Sequence, residues 1–392
     1  MRAVALIDGE HYAPVVRDAL AKLPYEWVGA ILVGGTEKLR PAADYGVPLV
    51  DAFTGAEVVV DLSDEPVLGP AARLRWASRA LAAGLPYVGA DFRFEPPRFE
   101  PFELPSIAVV GTGKRVGKTA VTAHVARTLA RDRDVVVVAM GRGGPAEPEV
   151  VETQPTPAEL LRRSRAGEHA ASDHLELAAF AGVPAIGCRR AGGGLAGAVF
   201  DSNVLAGARL AAERRPDVVV FDGSGAALPP VATTARILVT TGAQDATGYL
   251  NLYRLLISDL VVVLHGSSDD AGHIKAAVDV PVVRAELRLR PEEPVEGRVA
   301  VFTAGPAQVE HLDADVVLRS TALADRPELH RQLDSTDADT YVVELKAAAV
   351  DVVAEHAAAH GKRLVLAGND VVAVDGDLDA AVAALLPARV AA

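Results

Sequence analysis

The sequence predicts an α/β protein built on parallel sheets, and three observations predict it. Short β-branched runs alternate with Ala-, Leu- and Arg-rich helical stretches along almost all of the 392 residues, the pattern of repeated strand–helix units. Several strand candidates are near-continuous apolar runs, as expected of strands covered on both faces. A glycine-bearing loop joins one such strand to a helix across residues 107–119. The length exceeds one ordinary domain. The expected layout is a small N-terminal Rossmann-like open sheet domain (1–103), a central parallel-sheet domain (104–290) and a smaller C-terminal α/β region (291–392).

In the first domain the strands are expected at 3–7, 29–33, 57–62 and 87–88, with helices near 14–21 and 70–83. The segment 92–105, FRFEPPRFEPFELP, has four prolines and four phenylalanines and no periodicity. It reads as an extended, packed connector and as the domain boundary. Strands follow at 107–110, 134–139, 184–187, 217–221, 236–240, 260–264 and 280–283, with a helix over 119–130. Beyond the charged stretch 288–297, strands are expected near 299–302, 316–318, 341–345 and 363–366, and the longest helix over 346–360. The pattern fits this last region equally well as a separate domain or as an extension of the central sheet.

Composition narrows the function. With 39 Lys and Arg against 52 Asp and Glu, the net charge is −13. That argues against nucleic acid, whose binding rests on clustered cations, and against an anionic lipid surface. The one cysteine, Cys188, excludes an intrachain disulfide and suits a reducing compartment. The N-terminal apolar run before Asp8 is too short for a signal peptide, and no stretch reaches the roughly 20 apolar residues of a membrane helix. A cytoplasmic location is expected.

The strongest chemical signal is IAVVGTGKRVGKT, residues 107–119. Glycines let backbone N–H groups turn inward around phosphates, and the helix N-terminus adds positive potential. In such a loop Lys118 reaches the β- and γ-phosphates and the Thr119 hydroxyl ligates Mg²⁺. Gly111, Gly113, Lys114, Arg115, Val116, Gly117, Lys118, Thr119 and Ala120 are therefore the candidate ATP-binding residues, with Lys114 also a candidate catalytic cation. The segment reads as the phosphate loop of a P-loop NTPase, the plain alternative being a chance Gly-Lys-Thr at a helix start, with one departure: Thr112 stands where the usual spacing has glycine.

Asp222 ends the apolar strand of VVVFDGSG and is the candidate metal or water-positioning carboxylate; a turn-capping aspartate is the plain alternative. Two basic glycine-rich loops, MGRGGP with Arg142 and CRRAGGG with Arg189, Arg190, Gly192, Gly193 and Gly194, follow expected parallel strands. Their guanidinium forks suit a second, highly charged anion, and surface turns of this composition also occur without a ligand. Glu149, behind the first loop, is the candidate further metal contact, although an acidic solvated loop reads the same. The pentad Asp8–Gly9–Glu10–His11–Tyr12 makes Glu10 and His11 candidate substrate-binding residues, and a capping turn explains it equally well. Cys188 has no nominated base and reads as a buried small residue.

The loop GTGKRVGKT resembles those of the dethiobiotin synthetase and MinD-like branch of P-loop proteins, which tolerate the shifted glycine. Together IDGEHY, GTGKRVGKT, MGRGGP and CRR-x-GGG resemble the cyclic 2,3-diphosphoglycerate synthetase family, most strongly from residue 1 to about 225. The resemblance implies ATP- and Mg²⁺-dependent closure of a phosphoanhydride between the two phosphates of 2,3-diphosphoglycerate, releasing ADP and phosphate, and formation of that acid from 2-phosphoglycerate as a further activity. The implied partner is thus a small phosphorylated acid, and a homodimer is the expected assembly. The alternatives are a carboxylate-activating ligase like dethiobiotin synthetase, a MinD-like ATPase switch and, weakest for want of Cys or His clusters, a metal-insertion GTPase.

Overall fold

A computed structural model describes residues 1–41 and 43–387; the last five residues of the expected C-terminal region lie outside it. The chain forms two compact units, one of residues 1–98 with 245–257, the other of residues 99–244 with 258–392.

In the first unit, strands β1 (Arg2–Ile7), β2 (Glu26–Leu32), β3 (Val58–Asp61), β4 (Tyr87–Val88) and β5 (Arg93–Phe94) form one sheet in the order β2-β1-β3-β4-β5. All but β5 run parallel. Helices α1 (Ala13–Lys22) and α2 (Pro70–Ala82) each carry proline in the first turn, where its missing N–H costs nothing. The sequence pattern groups residues 245–257 with the central strands; in the structure they pack here instead. The short helix Asn251–Leu256 lies against α2, and the Ser78 hydroxyl donates to the Tyr249 carbonyl at 3.2 Å. The apolar residues Leu252, Tyr253 and Leu255 are buried by that arrangement.

The proline-rich connector has a physical role for its phenylalanines. Phe92 stacks on Tyr87 at 5.5 Å and β5 continues the first sheet. Further on, within the second unit, Phe102 meets Phe221 edge-on at 5.3 Å and residue 100 pairs with residue 231.

The second unit holds a sheet of thirteen strands among the described residues. Its strands are β6 (Ser106–Gly111), β7 (Val135–Gly141), β8 (Glu149–Val151), β9 (Ala185–Ala191), β10 (Asp201–Ser202), β11 (Val218–Asp222), β12 (Ala235–Thr241), β13 (Leu260–Leu264), β14 (Val282–Pro291), β15 (Arg298–Phe302), β16 (Asp315–Ser320), β17 (Thr340–Glu344) and β18 (Arg363–Ala373). A parallel block runs β9-β7-β11-β6-β12-β13-β14, with β8 and β10 added antiparallel to β9. At β14 the direction reverses: β18 pairs antiparallel to it from Ala285↔Ala373 to Pro291↔Ala367. The remaining strands, β18-β17-β15-β16, are parallel to one another.

This joint has a geometric consequence. Only the start of β14, Val282–Ala285, pairs with β13, while its far half carries β18. The second block therefore begins where the first ends and runs the opposite way, so the carboxyl ends of the two blocks face each other. The C-terminal strands thus extend the central sheet, and Ile107, Val262, Phe302 and Tyr341 share one buried core.

Three expectations are corrected. The strand expected at 280–283 extends to Pro291, because Ala285, Leu287 and Leu289 alternate inward while Arg288 faces out, a half-buried strand hidden inside a charged stretch. The segment Cys188–Ala191, expected as loop, completes β9. Residues 346–360 are not one α-helix: Ala347 has φ +45°, Ala349–Ala354 is π-helical and only Glu355–Ala359 is α-helical.

Because the core is shared, Phe302→Ala should cost the second unit about 3–5 kcal/mol. In a denaturant titration nucleotide binding and the hydrogen-exchange protection of β15 should then be lost together. Loss of β15 protection with nucleotide binding retained would contradict a common core.

Candidate functional site

The site is built where β6 and β11 lie side by side, Asp222 opposite Val109. After β6 the chain turns through Gly111–Gly117 into helix α3 (Lys118–Leu129). Gly117 has φ +77°, and a Cβ there would lie 2.3 Å from Leu264 Cδ1, so glycine is required. Arg115 also takes positive φ, whereas Thr112 does not. That is why position 112 needs no glycine; its hydroxyl instead bonds Gln244 Oε1 at 2.6 Å and Thr240 Oγ1 at 3.1 Å.

Lys118 and Asp222 are both buried, with Nζ 2.5 Å from Oδ1. One helical turn on, the Thr122 hydroxyl also reaches Oδ1, at 2.6 Å. Burial pushes the Asp222 carboxyl up from its ordinary range and Asp173 reinforces this, while Lys118 and Thr122 oppose it. Its second oxygen, Oδ2, is buried and has no hydrogen-bond partner. An orphaned carboxylate oxygen costs free energy. With the Thr119 hydroxyl on the same loop, this donor set fits a hard divalent cation.

Lys118 and Thr119 line a cavity of about 370 Å³, with Asp222 buried behind them. One wall is the phosphate loop, residues 113–119, with Arg142 and Gly225; the opposite wall is Gly305, Glu344, Lys346 and Asn369. Lys114 and Arg115 are exposed on the loop. The MGRGGP turn is glycine-rich for a packing reason: a Cβ on Gly144 would lie 2.0 Å from the Cys188 carbonyl oxygen. Arg142 and Arg190 converge on Gly225, where a Cβ would stand 2.6 Å from one guanidinium and 3.9 Å from the other. Burial and then the Arg142 charge disfavour the charged Arg190. Its Nη groups donate to the Gly192 and Ser224 carbonyls, leaving Nε buried and unpartnered. Neither arginine has a carboxylate partner among the described residues.

Other expected residues fall elsewhere. Arg189 is exposed, its N–H bonded to Asn203 Oδ1 at 2.7 Å, and Gly192, Gly193 and Gly194 are exposed beyond the end of β9. Glu149 is paired with Arg163 at 2.6 Å and lines a second cavity with His174. In the N-terminal unit, Glu10 accepts N–H bonds from Thr36 and Glu37, and His11 Nδ1 lies 2.7 Å from the buried Asp8 carboxylate. Cys188 is buried and its thiol is pushed up to about 12, an inert packing residue.

The opposite wall was not visible in the sequence. Glu344 and Lys346 close β17, Nζ standing 3.1 Å from Glu344 Oε1 and 3.4 Å from Glu176 Oε1. Asn369 Nδ2 donates to Glu344 Oε1 and the Ala304 N–H to Oε2. The signal was Glu-Leu-Lys at a strand's carboxyl end, obscured because 346–360 reads as helix.

A phosphate loop on a parallel sheet, with a buried Lys–Asp pair and a cationic cavity, defines a P-loop nucleotide-binding protein. The chain matches three parts of cyclic 2,3-diphosphoglycerate synthetase: the P-loop domain over residues 106–281, the C-terminal domain over 293–370 and the N-terminal domain over 2–54 and 49–95. It is 48% identical to the synthetase of Rubrobacter xylanophilus, covering 96% of each chain. It is 41% identical to that of Pyrococcus horikoshii, over 92% of this chain and 91% of the other, and 37% identical to that of Methanothermobacter thermautotrophicus, over 96% and 93%. The chain belongs to the cyclic 2,3-diphosphoglycerate synthetase family. Among solved structures, LpxK from Aquifex aeolicus in complex with ATP aligns at a TM-score of 0.44 and 14% identity, over 74% of this chain and 91% of that one. Among the described residues no helix is long and apolar enough to cross a membrane.

Two tests follow from this geometry. Lys118→Ala strands a buried carboxylate and should cost about 3–5 kcal/mol of stability while abolishing ATP-dependent turnover in the protein that still folds. Near-normal turnover would remove Lys118 from the chemistry. Burial raises the Glu176 carboxyl to about 8 from an ordinary 4.5, against the pull of Lys346 and with the push of Glu344 and Asp173. The folded protein then holds this proton more tightly than the unfolded chain, so stability should fall as pH rises from about 4.5 to about 8. Melting temperatures across that range should show a flatter profile for Glu176→Gln; an unchanged slope would assign it to other groups.

Proposed function

We propose that this protein is an ATP-dependent synthetase that joins the two phosphates of 2,3-diphosphoglycerate into a cyclic anhydride, releasing ADP and orthophosphate. The observation that carries the reading is the pair of guanidinium groups, Arg142 and Arg190, held together beside the phosphate loop without a carboxylate. Like charges placed so repel unless an anion joins them, and ATP alone has the phosphate loop for its own phosphates. A diphosphorylated acid supplies the second anion. Neither a carboxylate-activating ligase nor an ATPase switch is favoured, since neither calls for this second cationic group and the family points elsewhere.

An oxygen of one substrate phosphate attacks the γ-phosphorus of ATP and the β–γ bond breaks, releasing ADP. An oxygen of the neighbouring phosphate then attacks the first substrate phosphorus, and the former γ-phosphoryl leaves as orthophosphate carrying the bridging oxygen. Adjacent carbons hold the two phosphates within reach, which favours ring closure.

In this mechanism Lys118, with the loop N–H groups of Gly111–Ala120, orients the β- and γ-phosphates and stabilises the charge that moves between them. Thr119 and Asp222 Oδ2 would hold Mg²⁺, which supplies Lewis-acid charge neutralisation when bound. Arg142, with Lys114 on the loop, offsets the growing negative charge, and Arg190 beside it at Gly225 holds the acid. Glu149, paired with Arg163 in a second cavity, is not proposed as a ligand of that metal. The sequence segments 104–290 and 291–392 are proposed to divide the work as nucleotide binding and closure of the cavity. Phosphorylation of 2-phosphoglycerate, the cytoplasmic location and a homodimeric assembly complete the proposal.

The test is ADP release with and without candidate acids. Release should depend on 2,3-diphosphoglycerate and be weak with dicarboxylates or with no acid; equal release under all conditions would sink the reading. Arg142→Ala and Arg190→Ala should each raise the apparent requirement for the acid about tenfold or more, the worth of one charge-assisted contact, with a smaller effect on ATP. If only ATP binding weakens, these arginines belong to the nucleotide.

A further inference from the structure

The phosphate loop occupies one side of its cavity, and the question is what the other side is for. The strands of the second block run β18-β17-β15-β16 in space. From β15 the chain passes outward to β16, and from β17 it passes the opposite way to β18. The block therefore has its own switch point, between β15 and β17. In open parallel sheets the crevice outside the carboxyl ends at such a point is where ligands bind.

Here the crevice is formed by the residues after Phe302 and after Glu344. The two loops are tied together, because Glu344 Oε2 accepts the Ala304 N–H at 2.7 Å. A Cβ built on Gly305 meets nothing within 4 Å, so the loop fronts open space. The reversed direction of this block turns its switch point toward the phosphate loop, and Gly305, Glu344 and Lys346 line the same cavity as Lys118 and Arg142. Among the described residues Lys346 is the one lysine or arginine of that wall. It is fixed by contacts with Glu344 and Glu176, so it is presented without the rotamer freedom of a surface lysine. A lysine placed only to neutralise those carboxylates would have no need of a cavity in front of it.

We infer that Lys346, at the switch point of the C-terminal block, binds the second anionic group of the phosphorylated acid, across the cavity from the nucleotide. Glu344 and Glu176 are then positioning residues. The inference rests on the proposed function, and deepens it: one anionic group of the acid is held by Arg142 and Arg190, the other by Lys346, with the reacting phosphates drawn between the two sheet blocks. The C-terminal domain thereby becomes part of the active site.

The test uses the full chain. The wild type is first assayed for cyclic product from 2,3-diphosphoglycerate; if none forms, the proposed function fails and this inference with it. If product forms, Lys346→Met should raise the apparent KM for the acid about tenfold or more, the loss of one charge-assisted contact, and leave ATP affinity within about twofold. Lys346→Arg should recover part of the loss. Since Lys346→Met leaves the buried Glu344 carboxylate without its cation, the double variant Glu344→Gln, Lys346→Met is measured beside it, removing both charges of the closer pair. An unchanged KM for the acid, or equal weakening of ATP, overturns the inference while leaving the function standing. A crystal structure of the wild type with a nonhydrolysable ATP analogue and 2,3-diphosphoglycerate needs no variant: Lys346 Nζ should lie within hydrogen-bond distance of an acid oxygen. Substrate bound out of its reach overturns the inference as well.

Discussion

A lysine removed from water must be met by a carboxylate, and in this protein the Lys118–Asp222 pair is the contact on which the site depends. It links the first residue of helix α3 to the end of β11 at 2.5 Å. That fixes the loop between β6 and α3 at the carboxyl edge of the sheet. A buried ion pair contributes little net stability, since desolvation offsets its attraction. Its value here is positional: it keeps a cation ready inside the loop and leaves Asp222 with one orphaned oxygen. The same pair explains why the loop tolerates Thr112. With Gly117 taking the left-handed turn and Lys118 anchored from below, position 112 is free to hydrogen-bond sideways to Gln244.

The second determinant is the antiparallel joint between β14 and β18. A sheet continued in parallel would have put the C-terminal strands' carboxyl ends along the same edge, far from the phosphate loop. Reversal, with the two strands overlapping only over residues 285–291 and 367–373, brings two carboxyl edges face to face. Both edges of such blocks are natural ligand sites, and here they bound one cavity. Bringing two polyanions together requires cations from more than one direction, and a single sheet edge supplies them from only one.

Much of this was legible in the sequence. The β6–loop–α3 segment is strong because strand, glycines, Lys118 and Thr119 act through local geometry. Asp222 was legible for the same reason, as the polar end of an apolar strand. Arg142 and Arg190 were found as residues, but their meeting over Gly225 depends on strands β7, β9 and β11 being neighbours, which no local pattern reports. The wall formed by Glu344, Lys346 and Asn369 was missed, because residues from two separated segments face the phosphate loop only after β14 and β18 reverse the sheet. The long run of β14 was hidden by arginines that face out of a half-buried strand. The helical reading of 346–360 failed where Ala347 takes positive φ and the next turn widens to a π-helix, a local strain imposed by tertiary packing.

The central claim is that the cavity joins two phosphates of one molecule with the energy of ATP, and its most direct measurement is phosphorus NMR on the wild-type protein. The reaction would contain ATP, Mg²⁺ and 2,3-diphosphoglycerate carrying ¹⁸O in its phosphates. A cyclic pyrophosphate resonance should appear in step with ADP, and the released orthophosphate should show the isotope shift of one substrate-derived oxygen. ADP and unlabelled orthophosphate accumulating while the diphosphoglycerate stays unchanged would contradict it.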